Sequence, residues 1–207
     1  MTAAGVKLVD AFGPSTVDVL QLKRLCDPAN KNNEDPLAPQ DYRHLAGYYM
    51  QQTSGRFLPV RDQVVTNQFG TIHLDLIRPD RLFVPSSKSV IGPPVPLPTP
   101  PTLDHFKCYH VKTSLGAPKF NKIRGVTVQD QFLTDTVDLL KPQRLCYAAD
   151  KNDEGVVDPT ARLLCYWVTA VPRFHAPGII FINNQFGTAS LRRVTHVDEL
   201  CVPSMTQ

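Results

Sequence analysis

The tetrapeptide Asn184-Gln185-Phe186-Gly187 is one of four related stretches that decide how this chain folds. The same four residues recur at Asn67-Gln68-Phe69-Gly70, and related forms begin at Asp10-Ala11-Phe12 and Asp130-Gln131-Phe132. Each stretch is followed by a run of alternating apolar and polar residues, such as Val17-Asp18-Val19. Alternation with this period is typical of an antiparallel strand that buries one face. The stretches are therefore predicted to be β-hairpin turns whose phenylalanine enters the core.

Each alternating run ends in a similar triplet, which closes what we call a half-repeat. The triplets are Arg24-Leu25-Cys26, Arg81-Leu82-Phe83, Arg144-Leu145-Cys146 and Glu199-Leu200-Cys201. The separation between the turn phenylalanine and the last residue of the triplet is 14 residues in three copies and 15 in the fourth. Such agreement indicates internal duplication, which determines the architecture.

A further strand is predicted before three of the four hairpins, at residues 44–49, 106–111 and 163–168. No such strand precedes the first hairpin, which covers residues 6–26. A sheet that lacks one strand exposes an edge able to pair with another chain. We expect that edge along the first strand, and its residues are Val6, Leu8, Asp10 and Phe12.

These patterns predict an all-β fold of two tandem β-sandwich or barrel-like domains, each built from two half-repeats. The predicted boundaries are 1–89 for the first domain, 90–102 for a proline-rich linker and 103–207 for the second domain. The 19 prolines and the absence of a long 3.6-residue apolar period leave little room for helix. The linker is predicted to be an extended spacer, with a ligand for a proline-recognition domain as the alternative.

Four of the five cysteines lie in the second domain, where sequence alone allows three disulfide connectivities. The four are Cys108, Cys146, Cys165 and Cys201. In the first domain, Gly47 matches Cys165 and Phe83 matches Cys201, so both members of that pair are absent together. Joint absence predicts a Cys165–Cys201 disulfide and, by elimination, a Cys108–Cys146 disulfide.

Cys26 matches Cys146, but its partner would lie on the strand that does not precede the first hairpin. It is predicted to be unpaired or to form an intermolecular bond. Disulfides favour an extracellular or cell-surface location, although the first residues contain no export signal. The alternative is a cytosolic protein in which all five cysteines are reduced.

The sequence shows no arrangement of residues that indicates catalysis. There is no Gly-x-Ser-x-Gly motif, no phosphate loop, and no pairing of cysteines and histidines at zinc-ligand spacing. The histidines are dispersed and are predicted to be packing or surface residues: His44, His73, His105, His110, His175 and His196. The acidic loop at residues 150–155 is predicted to be a polar turn, because a calcium loop would need an acid where Ala161 stands. We therefore predict no enzyme activity, no cofactor and no metal.

The net charge and the aromatic residues indicate which classes of partner to expect. The net charge of +3 arises from basic residues scattered along the chain, so no nucleic-acid partner is predicted, and no apolar run is long enough for a membrane span. The adjacent pairs Tyr48-Tyr49 and Tyr166-Trp167 lie on predicted strands, where neighbours point to opposite faces. Tyr49 and Trp167 are therefore candidates for stacking on a glycan, with packing inside the protein as the alternative.

The Cys-Tyr strand, the Asn-Gln-Phe-Gly hairpin and the Leu-Cys-Val-Pro-Ser ending together resemble an uncharacterised domain family found in predicted secreted bacterial proteins, often in tandem. The resemblance covers residues 103–204 well and the first domain less well. It implies export and a β-rich fold, and it carries no catalytic residues to this chain.

The expected function is structural: a subunit of an extracellular filament or surface layer that self-associates, or joins another β-rich protein, through a donated strand. A carbohydrate- or surface-binding module is the alternative.

Overall fold

The chain folds almost entirely into antiparallel β-structure. The computed structural model describes residues 2–98, 102–169, 178–191 and 196–207. Fourteen strands in these residues belong to one sheet, which confirms the predicted all-β fold. In chain order they are β1 (Ala3–Asp10), β2 (Gly13–Cys26), β3 (Asn30–Lys31), β4 (His44–Ser54), β5 (Val60–Asn67), β6 (Gly70–Ser89), β7 (His105–Thr113), β8 (Ile123–Gln129), β9 (Thr134–Lys151), β10 (Arg162–Val168), β11 (Ile180–Asn184), β12 (Gly187–Leu191), β13 (Glu199–Pro203) and β14 (Met205–Thr206).

The four predicted hairpin turns share one hydrogen bond. In each turn, the first side chain accepts a hydrogen bond from the backbone N–H of the phenylalanine two residues later, as in an Asx turn. The donor–acceptor distances are 3.0 Å for Phe12 and Asp10, 2.9 Å for Phe69 and Asn67, 2.7 Å for Phe132 and Asp130, and 2.9 Å for Phe186 and Asn184. The half-repeats seen in the sequence are therefore units of structure.

The half-repeats are assembled from two kinds of strand around a central core. We call β4, β7 and β10 the leading strands, and β2, β6, β9 and β13 the closing strands. Each leading strand lies between two closing strands: β4 between β2 and β6, β7 between β6 and β9, and β10 between β9 and β13. Their inward side chains form a buried cluster that includes Leu45, Phe83, Phe106, Cys108, Cys146 and Cys165.

The segments 1–89 and 103–207 contribute to the same sheet. The end of β9 pairs with β1, and β3 pairs with β8 in the same register. Likewise, β14 pairs with β5, and the end of β6 pairs with β11. Two outer hydrophobic cores accordingly contain residues of both segments. The two repeats are interleaved through these four pairings.

The proline-rich linker contacts the sheet beside it. The hydroxyl of Ser87 donates to the carbonyl of Val95 at 2.5 Å, and the side-chain amide of Asn183 donates to the carbonyl of Pro94 at 2.9 Å. Residues 99–101 lie outside the described part of the chain.

The first strand is paired on both sides along part of its length. β1 pairs with β2 on one side, and its residues Leu8 and Val9 pair with β9 on the other. The side chains of Val6 and Leu8 are buried, and the ring of Phe12 packs edge-on against Tyr109. The open edge expected along β1 is therefore covered by a strand from the second repeat at Leu8 and Val9.

Candidate functional site

An open edge occurs instead at the end of β2. Among the described residues, residues 22–26 of β2 pair only with β4, and β13 pairs only with β10. Within the described ranges, no strand lies between these two edges. We call the space between residues 24–27 and β13 the β2–β13 groove. It corresponds by the internal repeat to the position of β7, which lies between β6 and β9.

Two ion pairs at equivalent repeat positions bridge the groove and its counterpart in the second repeat. The guanidinium of Arg144 on β9 binds Asp80 on β6 across β7. Arg24 on β2 occupies the repeat position of Arg144, and it binds Asp198, the counterpart of Asp80, across the groove. Side chains at equivalent repeat positions therefore bridge the groove and the space that β7 fills in the second repeat.

The backbone of β2 also differs from that of its counterpart. β9 runs without interruption through residues 147–149, which pair with β7. The matching residues 27–29 are not in a strand, and pairing resumes only at β3. Pro28 stands where β9 has Ala148, and it has no N–H to donate to a neighbouring strand, so this segment favours an interruption.

Cys26 lines this groove, in a cavity of about 730 Å³. It is half-buried and is the free cysteine of the chain. The other four cysteines form the Cys108–Cys146 and Cys165–Cys201 disulfides expected from the internal comparison. Burial, with a contribution from Glu199, raises the pKa of Cys26 to about 12, so its sulfur is a thiol at neutral pH.

Gly47 and Phe83 occupy the register of a disulfide. They lie opposite each other on β4 and β6, as Cys165 and Cys201 do on β10 and β13. A Cβ atom on Gly47 would lie 2.7 Å from the Phe83 ring. The aromatic ring therefore fills the volume that the second repeat fills with two sulfurs.

A buried cluster of charges lies at the groove and includes the first residue of each triplet. The carboxylate of Glu199 lies between Arg24, at 3.3 Å, and Arg144, at 2.6 Å. Arg81 is only 3% exposed, and its Nε and Nη1 atoms have no hydrogen-bond acceptor among the described residues. Burial, together with Arg144 and Arg24, lowers the pKa of Arg81. The sequence identified the triplets but did not indicate that their charged residues converge.

A tyrosine on each leading strand packs on a hairpin turn of another half-repeat. The ring centroids are 5.3 Å apart for Tyr48 and Phe186, 5.1 Å for Tyr109 and Phe12, and 5.8 Å for Tyr166 and Phe69. Each tyrosine hydroxyl is also hydrogen-bonded to the Asx side chain of that turn: Tyr48 to Asn184, Tyr109 to Asp10, and Tyr166 to Asn67.

The remaining turn, at Asp130 and Phe132, borders the groove. In the part of the chain that the structure describes, no tyrosine packs on Phe132 or binds Asp130. The ammonium group of Lys88 lies 4.1 Å from the centre of the Phe132 ring. Burial raises the pKa of Asp130, which is consistent with a carboxyl group that lacks a strong donor.

The two candidate stacking residues differ in exposure. Tyr49 is 39% exposed, whereas its neighbour Tyr48 is 2% exposed, so the pair divides between surface and core. The Tyr49 ring contacts Arg81, whose guanidinium carbon lies 4.5 Å from the ring centre. Trp167 is half-buried and lies 5.7 Å from the guanidinium carbon of Arg24.

The acidic loop and the cysteines that were compared with metal sites make structural contacts. The loop at residues 150–155 is closed by a bond from the N–H of Gly155 to Asp150 at 3.0 Å and by a Lys151–Glu154 ion pair. Glu199 lies within 4.8 Å of Cys165 and Cys201, but their disulfide leaves no thiolate for a metal.

His175 lies outside the described residues. No helix in the described ranges is long and apolar enough to cross a membrane.

Comparison with known proteins identifies a family. Searches of the curated proteins and of the solved structures found no match. A family model described as a repeat of unknown function, DUF7450, matches residues 44–203. This span runs from the first residue of β4 to the last residue of β13, so it contains the three half-repeats that have a leading strand. The chain belongs to the DUF7450 family of repeats of unknown function.

Proposed function

We propose that the protein is a non-catalytic structural subunit that assembles with neighbouring chains by accepting a β-strand at the β2–β13 groove. The observation that carries the proposal is the pair of facing strand edges, which are bridged by the Arg24–Asp198 ion pair. Main-chain donors and acceptors along such edges give affinity for an added strand, and the pockets for its side chains give specificity. An extracellular filament or surface layer is the expected setting, and the two disulfides suit it.

The test is the mass of the particles in solution over a range of concentrations. Size-exclusion chromatography with light scattering, followed by electron microscopy, is expected to show assemblies that grow with concentration. A Cys26→Lys variant places a charge in the groove and should reduce assembly, because charged groups on an edge oppose pairing. A Leu115→Lys variant, at a fully exposed position, is the matched control and should assemble normally.

Two results would contradict the proposal. One is a monodisperse monomer at every concentration. The other is assembly that the Cys26→Lys variant leaves unchanged, since that would place the contact elsewhere on the surface.

A glycan-binding module is the second candidate, and the exposure of Tyr49 favours it. A glycan array with the intact protein and with Tyr49→Ala tests it. Binding that depends on Tyr49 would support this function, and an array without any binding would remove it.

A further inference from the structure

The repeat supplies a template for what the groove accepts. From it we infer that the β2–β13 groove binds a leading strand with adjacent cysteine and tyrosine residues, carried by another repeat of this family. The cysteine of that strand forms a disulfide with Cys26. This inference rests on the proposed function and names its partner.

The register of the bound strand follows from β7. Cys108 lies directly opposite Cys146 on β9 and opposite Arg81 on β6. Cys26 and Glu199 are the repeat counterparts of Cys146 and Arg81. A strand bound in the same register therefore places its cysteine between Cys26 and Glu199, with its sulfur next to that of Cys26.

The turn at Asp130 and Phe132 provides a binding site for the tyrosine that follows the cysteine of the bound strand. Three leading-strand tyrosines each pack on a turn phenylalanine and bond to the Asx side chain of the same turn. Phe132 and Asp130 are the fourth such pair, and they border the groove. The incoming tyrosine is expected to stack on Phe132 and donate its hydroxyl hydrogen to Asp130, as Tyr109 does to Asp10.

Arg81 gives an independent indication that the groove takes a ligand. It is almost completely buried and lines the cavity, and its Nε atom lies 3.8 Å from Asp80, yet Nε and Nη1 have no hydrogen-bond acceptor among the described residues. A buried donor without a hydrogen-bond acceptor destabilises the folded state. A bound strand would bring backbone carbonyl oxygens that can accept from this guanidinium.

The covalent step is a thiol–disulfide exchange with a small-molecule disulfide such as oxidised glutathione as the oxidant. The two thiols lose two protons and two electrons as their sulfurs bond, and the small disulfide is reduced to two thiols. Strand binding precedes this step, because it brings the two sulfurs together.

A synthetic peptide with the sequence of residues 103–114, which spans β7, tests the inference on the intact protein. In a buffer of reduced and oxidised glutathione, mass spectrometry is expected to show one peptide per chain, attached at Cys26. A scrambled peptide with its cysteine at the same position is the control for non-specific exchange. Equal rates of attachment for the two peptides, or no attachment at all, would overturn the inference.

Two peptide variants separate the contributions of cysteine and tyrosine. A Cys108→Ser peptide should bind without a covalent bond and should compete with attachment of the parent peptide. A Tyr109→Ala peptide should attach about tenfold more slowly, the equivalent of about 1.4 kcal/mol. If Tyr109→Ala attaches at the parent rate, the site at Phe132 and Asp130 is not used and the assigned register is wrong.

The outcome is distinguishable from that of the assembly test. If the peptide attaches at Cys26 but the protein never assembles, the strand specificity stands and the structural function fails. If the protein assembles while the peptide neither attaches nor competes, the function stands and this partner is wrong.

Discussion

At the scale of single residues, the repeat shows that one position in the fold can be filled in different ways. The same register holds two bonded sulfurs at Cys165 and Cys201 and a glycine with an aromatic ring at Gly47 and Phe83. Both solutions keep the central core filled, because the ring lies where a second side chain would otherwise stand.

Replacement of Gly47 by alanine should destabilise the protein by about 2 kcal/mol, because the added methyl group would overlap the Phe83 ring. The double variant Gly47→Ala with Phe83→Leu should recover part of that loss. Chemical denaturation measures both, and Gly92→Ala is the control because a Cβ there meets no atom within 4 Å. A single variant as stable as the control would contradict the assigned packing.

Removal of the charge on Glu199 should cost about 3 kcal/mol, because it leaves Arg24 and Arg144 buried without their shared carboxylate. The measurement is the free energy of unfolding of Glu199→Gln. Glu34→Gln provides the comparison, since Glu34 is 53% exposed in its pair with Lys31 and should cost under about 1 kcal/mol. Equal losses in the two variants would show that the cluster at Glu199 is not buried.

The imidazole of His105 should make stability depend on pH. Burial, together with Lys151, lowers its pKa from 6.5 to about 4. Protonation therefore favours the unfolded chain, and the free energy of unfolding should fall by about 3 kcal/mol as the pH falls from 6.5 to 4. Denaturation curves at several pH values measure the decrease, and His105→Gln should reduce it. If the free energy of unfolding falls by the same amount in the variant, groups other than His105 cause the pH dependence.

At the scale of elements, the hairpin turns connect half-repeats that are not neighbours in sequence. The turn at Phe69 packs on Tyr166 of the fourth half-repeat, and the turn at Phe186 packs on Tyr48 of the second. Each turn therefore holds together strands that are far apart along the chain. The turn at Phe132 lacks such a tyrosine, which makes it the natural comparison.

Phe69→Ala should lower the free energy of unfolding by about 3 kcal/mol, because it removes both buried area and the contact with Tyr166. Phe132→Ala should cost distinctly less, since it removes no tyrosine contact. Thermal and chemical denaturation of the two variants measure the difference. A larger loss for Phe132→Ala would contradict the view that its site is incomplete.

Local patterns in the sequence could predict the strands and turns but not the open edge. Alternation marks strands, an Asx residue before phenylalanine marks the turns, and the joint absence at Gly47 and Phe83 indicated the disulfides. The edge was expected on β1, but Lys151 and Asp150 of β9 pair with β1. The β1–β9 pairing joins the first half-repeat to the third. The alternation of apolar and polar residues indicates a strand, but it does not indicate which other strand pairs with it.

At the scale of the whole molecule, the two repeats are interleaved in one sheet. Strands of residues 1–89 pair with strands of residues 103–207 at several places, and both outer cores combine residues of the two segments. A unit built in this way should unfold as a whole.

A single cooperative transition is expected in differential scanning calorimetry, with equal calorimetric and van't Hoff enthalpies. The physical reason is that neither repeat buries its core without strands from the other. Two resolved transitions would show that the sequence-based domains 1–89 and 103–207 fold independently.

Both the proposed function and the proposed partner require the β2–β13 groove to accept a strand. Hydrogen–deuterium exchange tests this requirement most directly. Backbone amides of residues 24–27 and 199–202 are followed with and without a saturating amount of the peptide of residues 103–114. Strand addition predicts that exchange slows by about tenfold or more along both edges, because both gain hydrogen-bonded neighbours. Unchanged exchange at the two edges would contradict strand addition at the β2–β13 groove.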